Sequence, residues 1–168
     1  MAFANQYSFV LITALILLLA AGGLILRRAR WRTVVASLLA LGLVIGAAYL
    51  LLRPGSSDVD SVEAAEAVIA SGSPTLVEFY SNYCAGCLAA RPAVDSLVAE
   101  IDARFEDSFN ILRVDIHTPF GRVLRERYGF SYTPEFILFD PTGQEVWRSH
   151  TPPSLTEVES LASAGGAA

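Results

Sequence analysis

The stretch Leu76 to Pro92, LVEFYSNYCAGCLAARP, holds both cysteines of the chain, Cys84 and Cys87, where a strand pattern gives way to a helix pattern. Thr75 to Tyr80 (TLVEFY) is a short apolar, β-branched and aromatic run after Pro74, which predicts a buried strand. Leu88 to Phe105 predicts a helix, with Pro92 kinking it near Leu88. The pair therefore sits at a helix N-terminus. Unpaired backbone N–H groups and the helix dipole there favour a thiolate, so the Cys84 pKa is expected to be depressed. The two-residue spacing lets the second sulfur close a disulfide with the first. A metal centre needs more ligands than His117 and His150 add, so neither metal nor cofactor is expected. A purely structural bridge stays open as an alternative, although closing so small a ring constrains the unfolded chain little.

Working outward, Pro54 to Asp58 reads as a breaker-rich linker and Val59 to Ala70 as an amphipathic helix capped by Asp60 or Ser61. Downstream, Asn110 to Ile116 alternates as a strand, Phe120 to Tyr128 is a short helix ended by Gly129, and Glu135 to Phe139 is another strand. Pro141-Thr142-Gly143 turns that strand into Glu145 to Ser149, a hairpin. Leu155 to Ala162 closes as a helix before a small-residue tail. Strand-helix-strand implies a parallel pair and the hairpin adds antiparallel strands. The fold class is therefore α/β, a mixed sheet flanked by helices, over residues 59–165.

The mean hydropathy of +0.45 is too high for an ordinary soluble globule. The excess lies in residues 1–53, where Phe9 to Leu26 and Thr33 to Leu52 are uncharged runs. At ~1.5 Å per residue each can cross a hydrocarbon core of roughly 30 Å. A cleaved signal peptide would carry its charge before the apolar run, whereas Arg27, Arg28, Arg30 and Arg32 follow it. These arginines place the tight connection in the cytoplasm and both ends outside. Tyr7, Trp31 and Tyr49 fit interfacial anchors; Gly42, Gly46 and Ala47 share a face that could let the two helices approach closely, although such residues are more often merely tolerated in a membrane helix. Every Asp and Glu falls from Asp58 onward within a net charge of −5, which argues against nucleic acid as a partner. All twelve basic residues are Arg, so no basic side chain can serve as a tuned amine base or Schiff-base nucleophile. Glu78, in the middle of a buried strand, is expected to have a raised pKa and a purpose.

The segment Leu76 to Pro92 resembles the active-site region of the thioredoxin superfamily, as do Thr133-Pro134 before a strand and Gly143 in the hairpin turn. The likeness covers roughly Val59 to Gly165. It implies a cis Pro134 against the cysteine pair, Cys84 as the attacking thiol and Cys87 as the buried resolving thiol. Glu78 stands where the family usually has an Asp that relays a proton to that buried thiol. Arg113 stands where a Lys is common, and an ion pair between the two is the competing explanation of Glu78. Tyr83 replaces a Trp, Gly86 replaces a proline, and the optional first strand is missing, its place taken by the linker. Tyr83, Tyr132 and Thr133 are the expected substrate contacts, with plain packing the alternative for both tyrosines. By this resemblance the chain is a membrane-tethered, extracytoplasmic thiol-disulfide oxidoreductase in a bacterial plasma membrane or a plastid membrane. Its partners would be disulfide-bearing proteins, as in cytochrome c maturation or complex assembly, a membrane electron donor and the lipid bilayer. An oxidase or isomerase, and a binding module with an inert disulfide, are the alternatives.

Overall fold

The structure is a computed structural model and describes residues 2–165. Four strands form one sheet in the order β2-β1-β3-β4: β1 (Thr75–Tyr80), β2 (Asn110–Asp115), β3 (Glu135–Phe139) and β4 (Glu145–Ser149). β1 and β2 are parallel, whereas β3 is antiparallel to both β1 and β4. The right-handed crossover preference of strand-helix-strand units accounts for the first pair and the short turn after Phe139 for the last. Every residue of β1 and β3 is buried because helices cover both faces. Val77, Phe79 and Ile137 pack under α4 (Val62–Ile69) and α6 (Pro119–Arg127), through Ala65, Ile69 and Leu124. Leu76, Phe136 and Leu138 pack under α5 (Ala85–Phe105) and α7 (Leu155–Gly165), through Val94, Leu97, Ile101 and Val158. Each fully buried side chain of this size contributes about 2 kcal/mol.

Local chemistry ends the elements where the turns require. Ser61 caps α4 by accepting from the Ala64 N–H at 3.1 Å, and Thr118 caps α6 by accepting from the Gly121 N–H at 3.0 Å, with Pro119 at the first helical position. A Cβ at position 121 would lie 2.1 Å from the Asp115 carbonyl oxygen, so only glycine lets α6 start this close to the end of β2. The active-site helix begins at Ala85, three residues earlier than its apolar pattern predicts, and runs unbroken through Pro92. It can start early because the first turn needs caps rather than an apolar face.

Ahead of α4 lie three helices: α1 (Ala2–Gln6), which has no counterpart in the sequence reading, α2 (Ser8–Leu26) and α3 (Trp31–Leu52). α2 and α3 fold back on each other, with Phe9 stacked on Tyr49 at 5.3 Å between ring centroids. Both are long and apolar enough to cross a membrane. The glycines do not set their approach. An added Cβ at Gly42 or Gly46 would meet nothing within 4 Å, so these positions open outward and are merely tolerated in the helix. The 54–58 segment is no free tether either. Asp58 exchanges hydrogen bonds with the backbone of Arg113, and the Ser57 hydroxyl accepts from the Asp115 N–H at 2.8 Å, so it borders the open edge of β2. That is the edge an additional first strand would occupy. The small-residue tail 166–168 lies outside the described residues.

Candidate active site

Cys84 is the N-cap of α5, and its Sγ accepts from the Cys87 N–H at 3.4 Å. The side chain thus takes one of the donors that a helix start leaves unpaired. From the other side the Thr133 carbonyl oxygen lies 3.6 Å from the same sulfur, next to the cis Thr133–Pro134 bond that the resemblance implied. Gly86 also faces this proline: a Cβ there would sit 3.5 Å from Pro134 Cδ and 3.6 Å from Cys84 Sγ. Both cysteines are free thiols, and with Tyr80 they form a cluster that is 0% exposed.

The two thiols are driven apart. A hydrogen bond from the Cys87 thiol, acting against burial and aided by Thr133 and the backbone N–H groups of Cys87 and Gly86, lowers the Cys84 pKa from 9.0 to about 5. The same hydrogen bond, then burial and the charge on Cys84, pushes the Cys87 thiol far up. One sulfur is therefore a thiolate at neutral pH and the other keeps its proton. Intrinsic nucleophilicity falls as pKa falls, with a Brønsted slope of about 0.4–0.5, and at pH 7 this cancels most of the gain in thiolate fraction. The lasting advantage is that Cys84 leaves readily when Cys87 attacks it. Alkylation of Cys84 by iodoacetamide should accordingly rise with pH through a midpoint near 5 and be flat above pH 7. A midpoint above 8 would remove this electrostatic account.

Glu78 lies on the β1 face that α5 covers, and it is buried. Its Oε2 accepts from Arg113 Nε at 2.8 Å across the β1–β2 register, in which the two residues are partners. Burial raises its pKa, and the Arg113 charge and hydrogen bond oppose that shift. Arg113 also reaches Asp95 at 3.4 Å and stacks over the Tyr80 ring at 5.7 Å, while its buried Nη2 has no hydrogen-bond partner among the described residues. The chain of contacts runs Glu78, Arg113, Tyr80, cysteine pair.

Thr133 is buried beside Cys84, whereas Tyr83 and Tyr132 are 40% and 46% exposed on the rim. Tyr132 stacks on His150 at 3.6 Å. Several residues at this rim carried no sequence signal of a role there: Asn5, Tyr7, Ser8, Ser81 and His117. Tyr7, read as an interfacial anchor, stacks on Tyr83 at 5.7 Å and tilts against His117 at 5.0 Å. Ser81 Oγ lies 2.9 Å from His117 Nε2 and donates to the Gln6 carbonyl oxygen at 2.9 Å. Burial lowers the His117 pKa, so the ring is neutral at physiological pH.

The family model described as Thioredoxin matches residues 58–162, which takes in the whole sheet, α4, α5, α6 and most of α7. The chain belongs to the thioredoxin family. This thioredoxin domain is 36% identical over 81 residues to the thiol:disulfide interchange protein TxlA homolog of Synechocystis, covering 47% of this chain and 42% of that protein. It is 26% identical over 80 residues to thioredoxin-like protein HCF164, chloroplastic, of Arabidopsis thaliana, covering 48% and 29%. The chain thus spans less than half the length of these two relatives. The thioredoxin fold also matches a solved structure described as the structural basis of the thiol resolving mechanism in yeast mitochondrial 1-Cys peroxiredoxin. The TM-score there is 0.52 at 11% identity, over 66% of this chain and 97% of that one. The thioredoxin domain is thus one of a family of thiol-disulfide oxidoreductases, with its Cys84 and Cys87 pair close together at a helix start.

Proposed function

We propose that this protein is a membrane-tethered thiol-disulfide oxidoreductase that works outside the cytoplasm and reduces disulfides of partner proteins. The observation that carries the thiol-disulfide exchange, in either direction, is the split pair: a Cys84 thiol pushed down to about 5 as the cap of α5, against a Cys87 thiol pushed up. The Cys84 thiolate attacks one sulfur of a partner disulfide, forming a mixed disulfide and releasing the other partner sulfur as a thiolate that takes up a proton. Cys87 then loses its proton and attacks Cys84 Sγ. The Cys84–Cys87 disulfide forms, the second partner thiol departs, and two electrons have passed to the partner. A membrane dithiol donor must return them. Glu78 is the acceptor for the Cys87 proton in this scheme. Among the described residues its carboxylate is hydrogen-bonded by Arg113 alone, so no protein group there competes with the Cys87 proton for its second oxygen.

Tethering rests on α2 and α3 as two spans, and orientation on the arginines of their connection, which favour the cytoplasmic side. The cyanobacterial and chloroplast relatives support a bacterial plasma membrane or a plastid membrane as the setting. A second reading, disulfide oxidase or isomerase, is favoured by one observation. Stabilising the Cys84 thiolate stabilises the reduced form, which makes the pair more oxidising. The reduction potential decides between them. Equilibrating the chain against glutathione or dithiothreitol and alkylating the free thiols should give a value near about −270 mV for a reductant, and near about −120 mV for an oxidant. A pair that never cycles would remove both readings.

A further inference from the structure

The N-terminal segment lies beside the cysteine pair and is hydrogen-bonded to the residues that surround it. The carboxamide of Asn5 faces the backbone of Thr133: Oδ1 accepts from the Thr133 N–H at 2.9 Å and from Thr133 Oγ1 at 2.9 Å, while Nδ2 donates to the Thr133 carbonyl oxygen at 2.9 Å. Thr133 precedes β3, so the sheet uses neither its N–H nor its carbonyl. A free N–H and C=O on one residue form the edge to which an extended peptide adds, by exchanging both bonds with one residue of the incoming strand. A carboxamide carries the same donor and acceptor as a peptide group. Asn5 therefore satisfies Thr133 as a docked strand would.

The neighbours of Asn5 close the remaining approaches. Ser8 Oγ accepts from the Ala85 N–H at 2.9 Å, a donor at the start of α5, and the Phe9 N–H donates to the Tyr83 carbonyl oxygen at 3.0 Å. The Gln6 carbonyl holds Ser81, and the Tyr7 ring lies on Tyr83. Beneath this cover both cysteines are 0% exposed. A thiolate with no exposed surface cannot meet a protein disulfide, although the site is otherwise assembled for one. The cover is part of the same chain and runs into the first turn of α2, so its effective concentration at the site is high and a partner in solution must compete with it.

We propose that Ala2–Phe9 is a built-in pseudosubstrate, with Asn5 occupying the peptide-docking edge at Thr133, and that a partner segment must displace it before exchange. This rests on the redox reading above for what the displaced site then does. The test uses the full chain in detergent micelles, reduced, at pH 8, where the Cys84 thiolate is complete. Wild type and Asn5→Ala are compared for alkylation of Cys84 by a bulky polyethylene-glycol maleimide and for mixed-disulfide formation with insulin. Losing the three Asn5 hydrogen bonds should raise both rates about tenfold, equivalent to about 1.4 kcal/mol. Faster alkylation with no insulin exchange in either form would support the cover while removing the redox reading. Equal rates in wild type and Asn5→Ala in both assays would overturn the pseudosubstrate, and leave the redox reading intact if insulin is reduced.

Discussion

Replacing Cys84 by serine should lower disulfide exchange by at least about 10³-fold, because the hydroxyl has no accessible anion to take the place of a thiolate at neutral pH. Cys87→Ser should behave differently. Its first step keeps the Cys84 thiolate, but nothing resolves the product, so mixed disulfides accumulate and appear as reducible adducts on a non-reducing gel. The Cys84 pKa should also rise in this variant, because the Cys87 thiol is the largest cause of its depression. A serine hydroxyl reaches less far than a thiol, so it replaces that hydrogen bond only in part. Cys87→Ser that traps no adduct with a disulfide-bearing protein would remove the assignment of Cys84 as the attacking thiol. Trapping by Cys84→Ser in place of Cys87→Ser would reverse the two roles.

The second large effect is on stability. Arg113→Met should cost about 3–5 kcal/mol at pH 8, because it leaves the Glu78 carboxylate buried without its partner. For a domain of this size that lowers Tm by on the order of 15 °C, readable by circular dichroism. Removing both partners, as in Glu78→Leu with Arg113→Met, should return most of the loss, since no buried charge then remains. The pH dependence has a definite sign. Burial raises the folded Glu78 pKa above its unfolded value of 4.5, so its contribution favours folding at low pH and fades as pH rises through the folded value. Arg113→Met deletes both influences that lower that pKa, so the variant should lose less at pH 5 than at pH 8. An equal loss at both would mean that Glu78 is not ionised in the folded protein.

Much of the fold was legible from local pattern. β1 and β3 are short apolar runs covered on both faces, which is why they read as continuous rather than alternating strands. The hairpin follows from Pro141-Thr142-Gly143, and α4 follows from its apolar face and the Ser61 cap. The start of α5 was misplaced because its first turn is specified by capping at Cys84, and capping leaves no period in the sequence. Glu78 stood out because a carboxylate within a buried strand needs a partner. Its pairing with Arg113 is set by the β1–β2 register, which no single segment encodes.

By itself the sequence determined the features that depend on spacing along the chain: two cysteines one helical turn apart at a strand-to-helix junction, and two apolar runs flanking an arginine cluster. Backbone geometry converts such spacings directly into position, so neighbours in sequence stay neighbours in space. Tertiary structure alone decided which groups surround the sulfurs. Thr133 reaches Cys84 across 49 residues, and Asn5 reaches Thr133 across 128. Those contacts join single polar groups to lone backbone atoms. They have neither the periodicity of a buried face nor the composition of a motif, and they exist only once the sheet and both layers of helices have brought the segments together.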